Sequence, residues 1–169
     1  MIPQTATAHP GPEHHAATDV VLSWSGGKDS AMALTALRAD PTVRVSHLLT
    51  TVTGDYERIT IHGVRRSLLH AQTVALGMDL IEVTIPADCT HEHYARIMDQ
   101  ALSAPPLKDI DTYAFADLFL EDIRTYRETN LAPLDKTALF PLWGQDTAQL
   151  AQRFIDTAWV QGVEATLPC

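Results

Sequence analysis

The sequence predicts an α/β protein in which a mostly parallel sheet of five or more strands is covered by helices. Short runs of β-branched and apolar residues alternate with longer segments of helical periodicity. The links between them are short, as in parallel sheets whose strands are joined by helical crossovers. A glycine turn follows the first apolar run directly, and folds of this class bind ligands at that edge of the sheet.

The elements are predicted from their local patterns. Strands are predicted over residues 19–22, 43–51, 80–85, 112–116, 137–142 and 162–167. Helices are predicted after residue 30, over residues 64–77, 91–102 and 117–131, and from residue 146 onward. The apolar stripe of the second helix consists of Val64, Leu68, Ala71 and Ala75. Gly77 is the predicted C-cap that closes it.

The last two helices carry start signals. Asp117 is a candidate N-cap for the helix over residues 117–131. Asp146 and Gln149 form a capping-box-like start of the last helix. The predicted apolar face of that helix consists of Leu150, Ala151, Phe154, Ile155 and Ala158.

Residues 25–30, Ser-Gly-Gly-Lys-Asp-Ser, lie between the first strand and the first helix. Gly26 and Gly27 can both adopt positive φ, and the N–H groups at a helix start attract anions. The sequence therefore predicts a phosphate-binding turn made of Ser25, Gly26, Gly27, Lys28, Asp29 and Ser30. The alternative is an ordinary strand-to-helix turn in which Asp29 or Ser30 is the N-cap.

Composition limits the function classes. The chain has 169 residues and a net charge of −9, which argues against nonspecific nucleic-acid binding because that requires a basic surface. Its two cysteines, Cys89 and Cys169, do not form a disulfide framework. We expect residues 1–18 to be a disordered tail and residues 19–169 to be one domain. No secretory signal or membrane span is predicted, so we expect a cytoplasmic protein.

Five further side chains are candidates for function. Arg124 and Arg127 are three residues apart and share a helix face, which suits phosphate or carboxylate groups. Pairing with neighbouring acidic residues on a solvated face is the alternative. Asp117 follows a strand at the functional edge, where a plain N-cap is equally compatible. His62 could touch a nucleotide or be structural. Trp143 could stack on a substrate or be buried.

The hexamer resembles the PP-loop of ATP pyrophosphatases, the adenine nucleotide α-hydrolase-like enzymes. Four further segments resemble the diphthine–ammonia ligase family and its bacterial relatives: His62-Gly63-Val64-Arg65, Gln72 with Ala75-Leu76-Gly77, residues 116–128, and Pro141-Leu142-Trp143-Gly144. The resemblance implies a three-layer α/β/α, Rossmann-like HUP-type fold that binds ATP and Mg²⁺. It further implies adenylation of a carboxylate or carbonyl with release of pyrophosphate, followed by ligation of ammonia or an amine.

The same resemblance implies roles for single residues. Residues 25–30 and His62 would bind the nucleotide, and Lys28, Asp29, Asp117, Arg124 and Arg127 would carry the chemistry. Asp29 is either an N-cap or a holder of magnesium, and the metal ligands are otherwise unassigned. Relative to the family the domain is shortened at its C-terminus, so a noncatalytic nucleotide sensor stays open. A tRNA-modifying enzyme is the second alternative, and a homodimer is also open.

Overall fold

In the computed structural model, which describes residues 16–54, 58–59 and 65–160, strands and helices alternate as predicted, apart from one short strand over residues 58–59 that was not predicted. The strands are β1 (Thr18–Ser23), β2 (Val43–Thr53), β3 (Arg58–Ile59), β4 (Leu80–Ile85), β5 (Thr112–Ala114) and β6 (Thr137–Leu139). The helices are α1 (Lys28–Ala39), α2 (Arg66–Leu76), α3 (His91–Leu102), α4 (Glu121–Leu131) and α5 (Thr147–Val160), and a 3₁₀ turn covers Ala132–Leu134. The predicted tail up to residue 15 and the strand predicted over 162–167 lie outside the described residues.

The sheet contains five parallel strands in the order β4-β2-β1-β5-β6, which confirms the predicted α/β architecture. The short strand β3 is antiparallel and pairs with Val52 and Thr53 of β2. Strand β4 pairs with the same two residues. Because a strand has only two edges, β3 lies on the side of β2 that β1 occupies, beyond the carboxyl end of β1.

The two faces of the sheet carry separate cores, which we call the closed face and the open face. Helices α1, α2 and α5 cover the closed face, and α3 and α4 cover the open face. The closed-face core includes Val20, Leu22, Trp24, Leu34, Leu37, Leu48, Leu69, Leu142 and Leu150. The open-face core includes Val21, Leu49, Val83, Ile85, Leu102, Leu107, Ile110, Tyr113 and Leu131. The sequence therefore forms the three layers that the resemblance implies.

Strand β2 contains a bulge that a simple alternation does not predict. Val20 pairs with Val45, but the next residue, Val21, pairs with His47. Ser46 is thus one residue in excess, and it changes the phase of the strand. Val45 before the bulge and Leu48 after it therefore both pack on the closed face.

The phase predicted for α2 was wrong. Leu69 and Thr73 are buried, whereas Leu68 is 42% exposed and Ala71 and Ala75 face solvent. Polar contacts explain the rotation, because two residues on the Leu69 side of the helix bind one carboxylate of β4. The pairs are Arg66 Nη2 with Glu82 Oε2 and His70 Nε2 with Glu82 Oε1, both at 2.6 Å. Val64 lies outside the described residues.

The predicted end of α2 and the predicted start of α5 were confirmed, whereas the predicted apolar face of α5 was confirmed only in part. Gly77 closes α2 in the left-handed region, with φ of 64°, as predicted. Asp146 accepts a hydrogen bond from the Gln149 N–H at 2.9 Å, so the start predicted for α5 is confirmed. The face predicted for α5 is only partly correct. Leu150 is buried and Phe154 is half-buried, but Ile155 is 48% exposed and Ala151 is exposed.

The lower end of the open face, where the parallel strands begin, is held by a buried lysine. Lys136 Nζ donates to the carbonyl oxygens of Leu107, Lys108 and Ile110 at 3.2, 3.3 and 2.8 Å. It also lies 5.3 Å from the ring centroid of Tyr113. A single ammonium group thereby satisfies three backbone acceptors between α3 and β5.

Candidate functional site

The topology brings two connections together at one edge of the sheet. The chain runs outward from β1 through β2 to β4 and then crosses to β5 on the other side of β1. Strand order therefore reverses between β1 and β5, and α/β folds bind ligands at such a point. Residues 25–30 follow β1 there, and residues 115–120 follow β5.

The turn over residues 25–30 is closed by its own hydroxyl groups. Ser30 Oγ donates to the Gly27 carbonyl at 2.8 Å, and the Ser30 side chain is almost fully buried. Ser25 Oγ donates to Ser30 Oγ at 3.2 Å and accepts from the Gly27 N–H at 3.3 Å. The turn therefore has a fixed shape before any ligand arrives.

Two local predictions for this turn were wrong. Gly26 has a φ of 74°, but Gly27 has a φ of −91° and does not use the left-handed region. Gly27 is itself the N-cap of α1, and among the described residues no side chain makes a capping hydrogen bond to this helix. Asp29 lies in the first turn of α1, where its Oδ1 is 2.5 Å from Lys28 Nζ. The backbone N–H groups at the start of α1 are therefore not capped by a side chain of the described residues.

Opposite the turn lies a charged pair, in which a residue of the connection between β5 and α4 contacts a residue of α4. Asp117 Oδ2 lies 3.5 Å from Arg127 Nε, and both side chains are about one quarter exposed. These two atoms are buried, and neither makes a hydrogen bond within the described ranges. Because α4 begins only at Glu121, Asp117 is not its N-cap, contrary to the prediction. Its carboxylate is therefore not engaged in capping.

Aromatic rings hold both arginines of α4. The Arg127 guanidinium carbon lies 4.7 Å from the centroid of Phe115. That of Arg124 lies 4.9 Å from the Trp143 ring and 5.3 Å from the Phe140 ring, and Arg124 Nε donates to Glu128 Oε1 at 2.9 Å. Arg124 thus makes the acidic pairing that the sequence left open, and Trp143 is half-buried under it.

A cleft of about 870 Å³ connects these groups on the open face. Among the predicted residues it is lined by Ser25, Gly27, Asp29, Ser30, Asp117 and Arg127. Gly26, Lys28 and Arg124 are not among the lining residues, and His62 lies outside the described part of the chain. The volume is within the range of small-molecule sites and exceeds what the turn alone would need.

The cleft also has walls that sequence reasoning missed. They come from the end of β2 and from the facing sides of α3 and α4, and include Thr50, Thr51, Tyr94, Met98, Asp99, Tyr126 and Asn130. Burial raises the pKa of the Tyr94 hydroxyl above its usual value. The helical phase of α3 could have indicated Tyr94 and Met98, which are four residues apart, but not that α4 faces them across a gap.

The donor set of the cleft fits a magnesium ion that arrives with phosphate groups. Asp29 and Asp117 both line the cleft, and Mg²⁺ is typically held by one or two carboxylates together with substrate phosphates. The described residues contain no group of three or more His, Cys, Asp or Glu side chains that could hold a metal by themselves. Asp117 Oδ2 is also a buried oxygen that has no hydrogen-bond donor within those residues.

The fold and the cleft together define an α/β domain with the turn of residues 25–30 at its topological switch point. Residues 18–128 match the family model of the diphthamide synthase N-terminal domain, so the chain belongs to this family, within the PP-loop superfamily. The predicted superfamily is thereby confirmed. No functionally curated protein matches the chain.

The chain is similar to two solved structures. One is the predicted subunit of a tRNA methyltransferase from Methanocaldococcus jannaschii, with a TM-score of 0.50, 18% identity, and coverage of 82% of this chain and 76% of that chain. The other is the U34-tRNA thiolase NcsA from Methanococcus maripaludis with its 4Fe-4S cluster, with a TM-score of 0.47 and 16% identity. That alignment covers 90% of this chain but only 59% of the thiolase. At such identities the first likeness describes the fold alone.

Across residues 16–54, 58–59 and 65–160, no helix has both the length and the apolar character needed to cross a bilayer.

Proposed function

We propose that the cleft binds ATP with Mg²⁺ and that the protein transfers the AMP half of ATP to a substrate oxygen. One observation carries this proposal: the turn of residues 25–30 and the Asp117–Arg127 pair line the same cleft at the switch point. A preformed turn with backbone N–H groups suits the pyrophosphate half. Arg127 supplies a positive charge on the opposite wall.

The proposed reaction has two steps. A carboxylate or carbonyl oxygen of the substrate attacks the α-phosphorus of ATP, the bond to the β-phosphate oxygen breaks, and pyrophosphate leaves. Ammonia or an amine then attacks the activated carbon and displaces AMP, with loss of a proton. The product is a new carbon–nitrogen bond, as the likeness to diphthine–ammonia ligases implies.

The residues would act mainly through position and charge. Arg127 is held by Phe115 and Asp117, so its guanidinium can stabilise the negative charge that develops on the phosphate oxygens. Lys28 is half-exposed on a flexible stem and can turn from Asp29 to the phosphates. Asp29 and Asp117 would hold the magnesium ion, which offsets phosphate charge when bound.

The acceptor in this proposal is a small molecule or a protein that carries a carboxylate or carbonyl group. The net charge of −9 disfavours a nucleic-acid acceptor, because phosphate backbones are bound by basic surfaces. A cytoplasmic site of action is consistent with this proposal, because the proposed reaction consumes ATP and the sequence predicts no disulfide framework.

The test combines calorimetry of Mg-ATP binding with analysis of AMP and pyrophosphate in the presence of ammonia and candidate carboxylates. Ser30→Ala should abolish binding, because Ser30 ties the turn to Gly27. Arg127→Gln should slow AMP formation by about 100-fold or more, as removal of one transition-state donor usually does. Arg124→Gln is the matched control and should have a much smaller effect, since Arg124 does not line the cleft.

Three results would contradict the proposal in different ways. No Mg-ATP binding by the unmodified chain would remove its basis. Binding without AMP formation for any acceptor would favour the nucleotide sensor. AMP formation that depends on added tRNA would favour the tRNA-modifying alternative.

A further inference from the structure

The phosphate-binding turn is attached to α2 by one side chain. Gln72 Nε2 donates to the Gly26 carbonyl at 3.0 Å, and Gln72 Oε1 accepts from the indole N–H of Trp24 at 3.3 Å. Trp24 is 4% exposed, and Leu69, one turn earlier on α2, is fully buried. A Cβ atom at Gly26 would lie 2.9 Å from both Gln72 Oε1 and Leu69 Cδ2, so the turn packs directly against α2.

The chemistry of this contact selects glutamine. The Gly26 carbonyl can only accept a hydrogen bond and the Trp24 indole can only donate one. The side chain between them must therefore offer a donor and an acceptor at the same end. A carboxamide does so, whereas a carboxylate or an aliphatic side chain does not.

The contact also fixes the orientation of one peptide unit. The Gly26 carbonyl and the Gly27 N–H belong to the same trans peptide and point in opposite directions. The carbonyl points to Gln72 on the closed face, and the Gly27 N–H points to Ser25 Oγ, which lines the cleft. Gln72 therefore controls which of the two groups faces the cleft.

Without that hold, only the bond from the Gly27 N–H to Ser25 Oγ would keep this peptide in place, because neither glycine carries a Cβ that would hinder rotation. Rotation would place the Gly26 carbonyl oxygen toward the cleft, where it would repel a phosphate. We propose that Gln72 is a positioning residue that locks the Gly26–Gly27 peptide with its carbonyl away from the cleft and its N–H on the cleft side, at Ser25 Oγ, where the phosphates would bind. This inference rests on the proposed binding of ATP.

The decisive variant is Gln72→Glu, which keeps the shape of the side chain. At pH 8 its carboxylate should oppose the Gly26 carbonyl and weaken Mg-ATP binding by about tenfold or more. As the pH falls toward the pKa of the introduced carboxyl, its protonated form regains an O–H donor, so the ratio of its Kd to that of the unmodified chain should fall toward one. Gln100→Glu, on the exposed side of α3, is the matched control, and its ratio should stay near one at every pH.

A second measurement tests the rotation itself. Gly27→Ala is compatible with the observed φ of −91°, and the added Cβ would meet Ser25 Oγ at an ordinary 3.4 Å. The rotated peptide would require a positive φ at residue 27, which alanine resists. Gln72→Leu should therefore weaken ATP binding less in a Gly27→Ala background than in the unmodified background.

The outcomes separate this inference from the proposed function. If the unmodified chain does not bind Mg-ATP, the proposed function fails first. If the unmodified chain binds Mg-ATP, two results for Gln72→Leu would refute the proposed role of Gln72. One is an affinity equal to that of the unmodified chain, and the other is an equal loss of affinity in the unmodified and the Gly27→Ala backgrounds. Trp24→Phe keeps the bond to Gly26 and should lose less affinity than Gln72→Leu, so the reverse order would also refute it. A purely structural role would change unfolding but not the pH dependence of the affinity ratio.

Discussion

On the closed face of the sheet leucine side chains from α1, α2 and α5 fill the space against β1, whereas the open face leaves a cleft of about 870 Å³ between α3 and α4. The central strand supplies both faces, with Leu22 on one side and Val21 on the other. The closed face anchors the turn of residues 25–30 through Gln72. The open face provides the space in which a ligand could contact that turn.

The difference shows how rigidity and access can be divided within one small domain. A turn that must hold its N–H groups in place benefits from a densely packed support, because packed interiors resist displacement. A substrate must enter, so the opposite face cannot be packed as well. Mutations on the two faces should therefore separate stability from ligand binding.

The largest expected effect comes from a closed-face leucine. Leu34→Ala should lower the free energy of unfolding by about 2–5 kcal/mol, because Leu34 is 3% exposed and its removal leaves a cavity. Met98→Ala, on the cleft wall, should cost much less because its site already borders open space. Urea unfolding measures both. Equal losses would show that the open face is as tightly packed as the closed face.

The second effect concerns the lower end of the open face. Lys136→Met should lower the free energy of unfolding by about 1–3 kcal/mol, because three backbone carbonyls lose their donor. Lys108→Met is the control, since that side chain is 51% exposed. Mg-ATP affinity, measured by calorimetry, should change little in either variant. A larger effect on binding than on unfolding would mean that the cleft depends on this end of the face.

The smallest effect concerns an exposed ion pair at the same end. Hydrogen bonding from Arg44 lowers the pKa of Asp19 below its usual value. A lowered folded-state pKa stabilises the protein above the unfolded-state pKa of about 3.9, and that contribution is lost as pH falls through the folded-state pKa. Asp19→Asn should therefore lower Tm by about 1–3 °C at pH 7 and progressively less below pH 5. A Tm difference that grows toward low pH would contradict this assignment.

The sequence was most informative where structure is set locally. The Ser-Gly-Gly-Lys-Asp-Ser turn carries its own glycine conformation and its own hydroxyl groups, so its place and general form could be predicted. The assignment of its caps could not, because Asp29 pairs with Lys28 and leaves the N-cap to Gly27. Even within a turn whose place was predicted correctly, competition between side-chain partners determined which residue became the N-cap.

Longer-range features were predicted less well. The phase of α2 depends on Glu82 of β4, which holds Arg66 and His70, and no pattern within the helix reveals that partner. Asp117 was assigned a cap because it follows a strand, but α4 begins four residues later. Arg124 and Arg127 were inferred to share a helix face, but only the fold shows that Arg127 lines the cleft and Arg124 does not.

The bulge at Ser46 has a consequence for the lengths of related chains. Val45 and His47 pair with consecutive residues of β1, so Ser46 is the one position between Val43 and Leu49 that has no partner in the β1 register. Deletion of Ser46 would restore a regular register between β1 and β2, and each remaining side chain of β2 would stay on the face of the sheet that it now occupies. Deletion of Val45 or Leu48 would instead remove a core residue. Homologous sequences that are shorter by one residue in this strand should therefore align with their gap at Ser46.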